Sequence, residues 1–242
     1  MTRPPRDSIY AGARDMIVDF AFDDAVAQVF PDMIRRSVPG YDTVVALLGL
    51  IAERYAQSDS RCYDLGCSLG AATLSMARRI AATDCRIVAV DSAWPMVARS
   101  RANLAASPVP VDLVCADLRD VRVQRASVVV LNFTLQFLPP DERLNLLTRI
   151  GAGMLPGGAL VVSEKVAFED EAEQAMQESL QLAFKRANGY SALEISQKRA
   201  ALERVLIPDS LEQHHARLRQ AGFGAVYTWF RCFNFAALVA LK

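Results

Sequence analysis

Glycine and acidic residues cluster in the stretch Asp64-Leu65-Gly66-Cys67-Ser68-Leu69-Gly70. A turn between a strand and a helix directs backbone N–H groups toward a ligand, and glycine allows a close approach there. Serine stands where the dinucleotide pattern G-x-G-x-x-G has its middle glycine, so a pyrophosphate fits this loop poorly. The stretch therefore predicts a site for a nucleoside-bearing ligand without a pyrophosphate.

Polar residues also end three further predicted strands. Asp91 follows Gly66 by about 25 residues, near the spacing at which a carboxylate reaches ribose hydroxyls. Asp117 and Asn132 close the third and fourth strands, and the Asp117 carboxylate is suited to accept a hydrogen bond from an adenine amino group. Open α/β sheets bind ligands at the carboxyl ends of their strands, so the four strand ends together predict one cleft.

Each of these acidic and amide residues also has a purely structural interpretation. Asp64 and Asp91 could cap the helices that follow them. Asp117 and Asp120 could shape a turn, and Asn132 could satisfy the polar groups of a loop. The coincidence of four strand ends favours a ligand site over these separate explanations.

Short apolar runs alternate with helical segments in the part of the chain that carries these residues. RCYDL, CRIVAVD, VDLVCAD, ASVVVLNF and GALVVSE read as strands of a mostly parallel sheet with helices on both faces. We expect a single domain over residues 1–242, with an N-terminal helical extension at 1–57 and a helical insertion at 168–206. Asn188 and Gly189 should break the insertion, and Pro208 should open a further helix before a C-terminal hairpin.

Composition limits the class of partner. Lys plus Arg and Asp plus Glu are equal at 27 each in 242 residues, so no positive field favours direct nucleic-acid binding. Five widely spaced cysteines argue against a zinc site and a disulfide framework. Since the chain also shows no signal-peptide or membrane-span pattern, we expect a cytoplasmic protein that binds a small molecule, no membrane and no metal.

Five longer stretches resemble one family along nearly the whole chain. They are FPDMIRRSVPGY, YDLGCSLGAATLS, VVLNFTLQFL, FKRANGYSALEISQKR and CFNFAALVALK. Together with Asp91 and the stretch ADLRD, they resemble the carboxy-S-adenosyl-L-methionine synthases of the class I S-adenosylmethionine-dependent methyltransferase superfamily. The resemblance implies an α/β fold with a Rossmann-like seven-stranded sheet and a terminal hairpin.

The resemblance also implies an activity and its partners. The family takes S-adenosyl-L-methionine and prephenate and forms carboxy-S-adenosyl-L-methionine and phenylpyruvate. Aromatising prephenate would release carbon dioxide, which the deprotonated sulfonium methyl group captures. The protein would be a homodimer whose product supplies a separate tRNA-modifying carboxymethyltransferase, which forms 5-oxyacetyluridine at the wobble position.

Site residues carry over from the family position by position. Arg199 would be the catalytic cation that binds the substrate carboxylate, and in that family the equivalent arginine reaches into the neighbouring subunit's cleft. Tyr41 would also contact the substrate, and Ser92 stands where the family often has asparagine. The implied contacts to S-adenosyl-L-methionine are Tyr41, Gly66, Cys67, Ser68, Asp91, Ser92, Asp117, Leu118 and Asn132.

Two other classes of function remain open at this point. One is a true methyltransferase of a small molecule or RNA base, although Asn132-Phe133-Thr134 lacks the proline pair of the amino-methylase motif. The other is a non-catalytic protein that senses S-adenosylmethionine. His214 and His215 are adjacent on a predicted helix, so we expect surface residues there, and Cys67 is expected to be a partly buried thiol.

Overall fold

A computed structural model describes residues 5–14 and 16–242, and two helices precede its sheet. They are α1 (Asp24–Ser37) and α2 (Tyr41–Tyr55), which agree with the helical spacing of apolar residues. Asp23 caps α1 by accepting a hydrogen bond from the Val26 N–H at 2.9 Å. Of the predicted N-terminal extension, residues 1–4 and 15 lie outside the described residues.

Strands and helices then alternate as predicted. A short 3-10 helix, Leu135–Phe137, follows the fourth strand. The regular elements are β1 (Arg61–Leu65), α3 (Ala71–Ala77), β2 (Arg86–Asp91), α4 (Trp94–Leu104), β3 (Val111–Cys115), β4 (Ala126–Asn132), α5 (Pro140–Gly153) and β5 (Met154–Ala167).

The insertion consists of two helices separated by a break at Asn188 and Gly189, and Gly189 has a φ of +83°. Ser191 begins the second of these helices through a reciprocal capping box with Glu194. The remaining elements are α6 (Glu171–Ala187), α7 (Ala192–Leu202), β6 (Asp209–Ser210), α8 (Leu211–Gln220), β7 (Ala225–Cys232) and β8 (Phe235–Leu241).

Two predicted boundaries in this region were wrong. Helix α8 begins at Leu211 instead of Pro208, because Asp209 and Ser210 pair with β5 and the Ser210 side chain caps the helix. The run CFNFAALVALK predicts a last strand that begins at Cys232, but Cys232 ends β7 and pairs with Phe235 across the hairpin.

The main sheet has the strand order β3-β2-β1-β4-β5-β8-β7, and β6 pairs with β5 beside it. Strands β1 to β5 are parallel, whereas β8 is antiparallel to β5 and β7. This confirms a Rossmann-like, mostly parallel sheet with a terminal hairpin. No helix within residues 5–14 and 16–242 is long and apolar enough to cross a membrane.

Alternate residues of the central strand β4 pack into two different cores. Val129 and Leu131 pack with apolar side chains of α5 and α8. Val128 and Val130 pack with apolar side chains of α2 and α3 on the other face. Because both faces are covered, β4 reads as a continuous apolar run, which is typical of a central parallel strand.

A fully buried arginine ties α5 to the chain that leaves the insertion. Arg143 forms an ion pair with Asp209 and donates to the carbonyls of Leu138 and Ile207, each at 2.8 Å. Arg217 pairs with the same Asp209 carboxylate at 2.6 Å. Burial opposes ionisation of Asp209, but its two arginine partners lower its pKa below the usual value.

Arg143→Leu is expected to lower the free energy of unfolding by about 3 kcal/mol or more, because several buried acceptors lose their donor at once. Urea unfolding followed by circular dichroism measures the change. The control is Arg204→Leu, which breaks an exposed ion pair with Asp19 at 2.8 Å and should lower stability by less than about 1 kcal/mol. Equal losses in the two variants would contradict the structural role of Arg143.

Candidate active site

The loop between β1 and α3 turns the chain at the carboxyl end of the sheet. Gly66, Ser68 and Gly70 have φ angles of +86°, +50° and +83°. The N–H groups of Gly66 and Cys67 both donate to the Val90 carbonyl at 2.8 Å, so the loop is tied to the end of β2. The stretch with the glycines therefore forms the strand-to-helix turn that its sequence predicts.

Both glycines of this loop are required by neighbouring side chains. A Cβ atom at Gly66 would lie 2.3 Å from Thr134 Oγ1, and one at Gly70 would lie 2.9 Å from Leu104 Cδ2. We expected a ligand to occupy this space, whereas the protein's own side chains do. The positive φ angles are a second reason for glycine, because they are unfavourable for other residues.

Asp91 ends β2 beside the glycine loop. Its carboxylate oxygens accept hydrogen bonds from the N–H groups of Ser68 at 2.8 Å and Ala93 at 2.9 Å. Burial raises the pKa of Asp91, and these two hydrogen bonds oppose the shift. Each oxygen keeps a free lone pair, so the carboxylate can also accept from two vicinal hydroxyl groups. Ser92 follows it in the lining of the same cavity.

Asp64 belongs to the stretch that predicts a ligand site but was not among the predicted ligand contacts, and it lies fully buried beside the cleft. Its Oδ2 accepts from Thr73 Oγ1 at 2.5 Å, but its Oδ1 has no partner in the described part of the chain. Burial raises the pKa of Asp64 to about 6, and the hydrogen bonds from Thr73 oppose this shift. A buried carboxylate with one free oxygen favours a cationic ligand.

Asp117 and Leu118 follow β3 in the cavity lining, but Asp117 differs from the prediction. Its Oδ1 accepts from the Arg119 N–H at 2.8 Å and from Arg119 Nε at 3.0 Å. Its Oδ2 accepts from Arg119 Nη2 at 2.7 Å. The side-chain hydrogen bonds from Arg119 lower the pKa of Asp117. An adenine amino group can therefore use only the remaining lone pair of Oδ2.

Asn132 and an aromatic cluster form another part of the cavity lining. Asn132 Oδ1 is buried without a partner among the residues described. Phe133 has a φ of +59°, which is uncommon for an aromatic residue, and its ring lies 6.2 Å from that of Tyr41 and 6.0 Å from that of Phe235. Burial raises the pKa of Tyr41, so its hydroxyl stays protonated. Sequence reasoning identified Tyr41 and Asn132 but missed Phe133.

Four basic side chains line the cavity from β5 and the insertion: Lys165, Lys185, Lys198 and Arg199. Arg199 lies on α7, and its guanidinium is 3.6 Å from the Glu178 carboxylate. It lines the cleft of its own chain, and the reach into a neighbouring subunit's cleft that the resemblance implied stays a prediction. The three lysines were missed, because charged residues such as Lys185 and Lys198 on helices and Lys165 near a strand end usually face solvent.

One cavity of about 530 Å³ brings these groups together. Its lining includes every residue that the resemblance assigned to the site, namely Tyr41, Gly66, Cys67, Ser68, Asp91, Ser92, Asp117, Leu118, Asn132 and Arg199.

Cysteine and histidine do not provide further chemistry in this cavity. Burial raises the pKa of the Cys67 thiol well above its usual value, so the side chain is not a nucleophile at neutral pH. His214 is buried on α8, so its predicted surface position was wrong. Across residues 5–14 and 16–242, no three His, Cys, Asp or Glu side chains form a group that could hold a metal ion.

S-adenosyl-L-methionine fits the groups that this cavity leaves unsatisfied. Asp64 Oδ1 and Asn132 Oδ1 are buried acceptors without partners, and the ligand carries ammonium and amino donors. Asp91 has free lone pairs for the two ribose hydroxyls. The rings of Tyr41 and Phe133 provide π faces for a sulfonium cation.

Comparison with known proteins defines the class first. A methyltransferase-domain family model matches residues 63–158. Human N-acetylserotonin methyltransferase, solved with S-adenosylmethionine, superimposes with a TM-score of 0.63 and 17% identity over 90% of this chain and 55% of that chain. An O-methyltransferase family protein from Burkholderia thailandensis gives 0.60 and 21% over 90% of this chain and 59% of its own. The fold is therefore that of S-adenosylmethionine-dependent methyltransferases.

Full-length relatives identify the family within this class. A protein from Geobacter metallireducens is 58% identical over 98% of both chains, and one from Shewanella sediminis is 57% identical over 98% of both chains. Each is named carboxy-S-adenosyl-L-methionine synthase. The chain belongs to the carboxy-S-adenosyl-L-methionine synthase family. This confirms the resemblance seen in the five stretches and the prediction of an enzyme that uses S-adenosylmethionine.

Gly66→Ala is expected to lower the free energy of unfolding by about 2–4 kcal/mol, because the methyl group meets Thr134 and the residue must keep a positive φ. Thermal or urea unfolding measures this change, and calorimetric titration with S-adenosyl-L-methionine should show weaker binding. Gly224→Ala is the control, since a Cβ there meets nothing within 4 Å. A stability change at Gly66 as small as that at Gly224 would refute the steric argument.

Proposed function

We propose that the protein converts S-adenosyl-L-methionine and prephenate into carboxy-S-adenosyl-L-methionine and phenylpyruvate. The observation that carries this proposal is that one cavity contains both buried carboxylates and a group of basic side chains. Asp64 and Asp91 suit the cationic and hydroxyl groups of one substrate. Lys165, Lys185 and Arg199 suit a second substrate with two negative charges. A neutral methyl acceptor would not need these basic groups.

The proposed reaction balances in atoms and charge without another reagent. Prephenate loses its ring carboxylate as carbon dioxide and its ring hydroxyl as hydroxide when it aromatises to phenylpyruvate. The hydroxide takes one proton from the sulfonium methyl group and becomes water. Carbon dioxide then bonds to that methyl carbon, and the gain in aromaticity drives the sequence.

In this proposal the chain's residues bind the two substrates and keep water out. Asp91 accepts hydrogen bonds from the ribose hydroxyls. Asn132 and Asp117 accept hydrogen bonds from the amino and ammonium donors of S-adenosyl-L-methionine. Arg199 binds the carboxyl group that moves, because a guanidinium offers two parallel donors to a carboxylate. The rings of Tyr41 and Phe133 exclude water from the reacting methyl carbon.

Methyl transfer to a small molecule or an RNA base is the alternative function. The solved methyltransferases share the fold of this chain, but at 17% and 21% identity they show the fold alone. After β4 the chain reads Asn132-Phe133-Thr134, without the proline pair of amino methylases. Neither this alternative nor a sensor role explains why basic side chains line the cavity.

We also propose the assembly and context that the family implies. Met176 and Leu180, one turn apart on α6, and Leu193 on α7 are exposed by 48%, 39% and 43%, which supports a homodimer formed through the insertion. The balance of 27 basic and 27 acidic residues supports a protein that leaves RNA to a separate carboxymethyltransferase. Transfer RNA is modified in the cytoplasm, where we place this protein.

Mass spectrometry of the small molecules formed from S-adenosyl-L-methionine and prephenate tests the proposed reaction. We expect a product about 44 mass units heavier than S-adenosyl-L-methionine, together with phenylpyruvate, and a loss of both by at least about 100-fold in Arg199→Ala, because no cation then neutralises the moving carboxylate. Arg204→Ala is the control and should keep wild-type turnover, since Arg204 pairs with Asp19. Unchanged S-adenosyl-L-methionine in the wild type would overturn the proposal.

Mixed dimers test the subunit in which Arg199 acts. Each mixed dimer contains one Arg199→Ala subunit and one Asp91→Ala subunit. If Arg199 acts in its own chain, as its position in the cavity lining indicates, each of the two sites lacks one residue and neither is intact. We therefore expect background activity from refolded equal mixtures. Recovery of about a quarter of wild-type activity would instead show that Arg199 completes the partner's cleft, because each mixed dimer would then contain one intact site.

A further inference from the structure

Two lysine ammonium groups in the cleft lack a partner. Lys165 lies near the end of β5 and Lys185 in the last turn of α6, and both line the cavity. Within residues 5–14 and 16–242, neither ammonium forms a hydrogen bond or an ion pair. Glu178 is close enough to act on Lys165, but its carboxylate lies against Arg199 at 3.6 Å. The structure therefore leaves these two positive charges free to bind a ligand.

The third lysine of the cavity differs, because its partners are structural. Lys198 Nζ donates to Ser37 Oγ at 3.1 Å and lies 3.5 Å from the Asp7 carboxylate. These contacts tie α7 to α1 and to the N-terminal segment. Lys198 thus has a structural role in the folded chain, whereas Lys165 and Lys185 do not.

The placement of Lys165 and Lys185 is electrostatically unfavourable unless an anion lies beside them. Burial, together with the positive charges of Lys198, Lys165 and Arg199, lowers the pKa of Lys185 to about 7. Burial also lowers the pKa of Lys165. Buried groups of like charge destabilise a protein unless they serve a site, where an anion of the ligand compensates them.

We propose that Lys165 and Lys185 form the subsite for the carboxylate that the second substrate retains in phenylpyruvate, separate from Arg199, which binds the carboxyl group that is transferred. This inference rests on the proposed function. Both carboxylate-bearing groups of prephenate are attached to the same ring carbon, so the cations that bind them must be close neighbours. Lys165, Lys185 and Arg199 line the same cavity, which meets this requirement.

Kinetics of Lys165→Met and Lys185→Met test the subsite. We expect the KM for prephenate to rise about 10- to 100-fold in each variant, because a charge-assisted hydrogen bond to the carboxylate is lost. The KM for S-adenosyl-L-methionine should stay within about twofold, because the lost contact belongs to the other substrate. Lys185→Arg keeps the charge and should recover most of the affinity for prephenate.

Arg186→Met is the matched control, because Arg186 adjoins Lys185 in sequence but is exposed and outside the cavity lining. It should keep the wild-type KM for both substrates. If Lys185→Met does not fold, as judged by circular dichroism, Lys185→Gln takes its place.

Binding of phenylpyruvate gives a second measurement that does not depend on turnover. Calorimetric titration in buffers of different ionisation enthalpy should show proton uptake near pH 7 to 8 by the wild type, because the bound anion raises the lowered lysine pKa values. The charged groups that act on Lys185 are Lys165 from β5 and Lys198 and Arg199 from α7, whereas Glu178 acts on Lys165 and lies against Arg199. Lys185→Met should abolish most of the uptake.

The outcomes separate this inference from the proposed function. Wild-type KM for prephenate and wild-type affinity for phenylpyruvate in both methionine variants would overturn the subsite while the synthase activity stands. The opposite outcome is a wild-type protein that does not convert prephenate but binds phenylpyruvate through the two lysines. This result would support the subsite and overturn the proposed function. A rise in the melting temperature of ligand-free Lys185→Met, by a few degrees, would show that the lysine destabilises the empty cleft.

Discussion

The parallel pairing of β4 with β1 and β5 determines where the cleft can form. β4 is buried on both faces, and its register places Val130 beside Asp64 and Asn132 beside Ser163. A shift by one residue would turn each of these side chains to the opposite face of the sheet. The two apolar cores on either side of β4 resist such a shift, because it would exchange their side chains. The positions of the polar residues at the strand ends therefore depend on the apolar packing on both faces of β4.

The cleft contains charges of both signs that burial makes unfavourable. The pKa of Asp64 is raised to about 6 and that of Lys185 is lowered to about 7. Burial therefore disfavours the charged form of an acid and of a base in the same cavity. The two apolar cores compensate for these unfavourable groups. Charged groups that burial makes unfavourable are suited to bind charged substrates.

The insertion supplies the half of the cleft that a Rossmann-like sheet does not. Helix α7 is held to the N-terminal segment by Gln197, whose Nε2 donates to the carbonyls of Tyr10 at 3.0 Å and Gly12 at 2.8 Å. Asp7 is buried against Tyr190 and Lys198 at the other end of this contact. Because these contacts neighbour Arg199 in the chain, they hold the basic side of the cavity against the nucleoside-binding side.

The sequence by itself determined the order of strands and helices, the glycine turn, and the polar ends of the strands at Asp91 and Asn132. These features depend on side-chain periodicity and on residues close together in the chain, so local patterns predict them. Tertiary structure alone decided that Thr134 requires glycine at position 66 and that Lys185 faces the cavity. These contacts depend on packing between elements, and Thr134 and Lys185 reach the cleft from elements far along the chain. A charged residue in a helical pattern looks the same whether it faces solvent or a cleft.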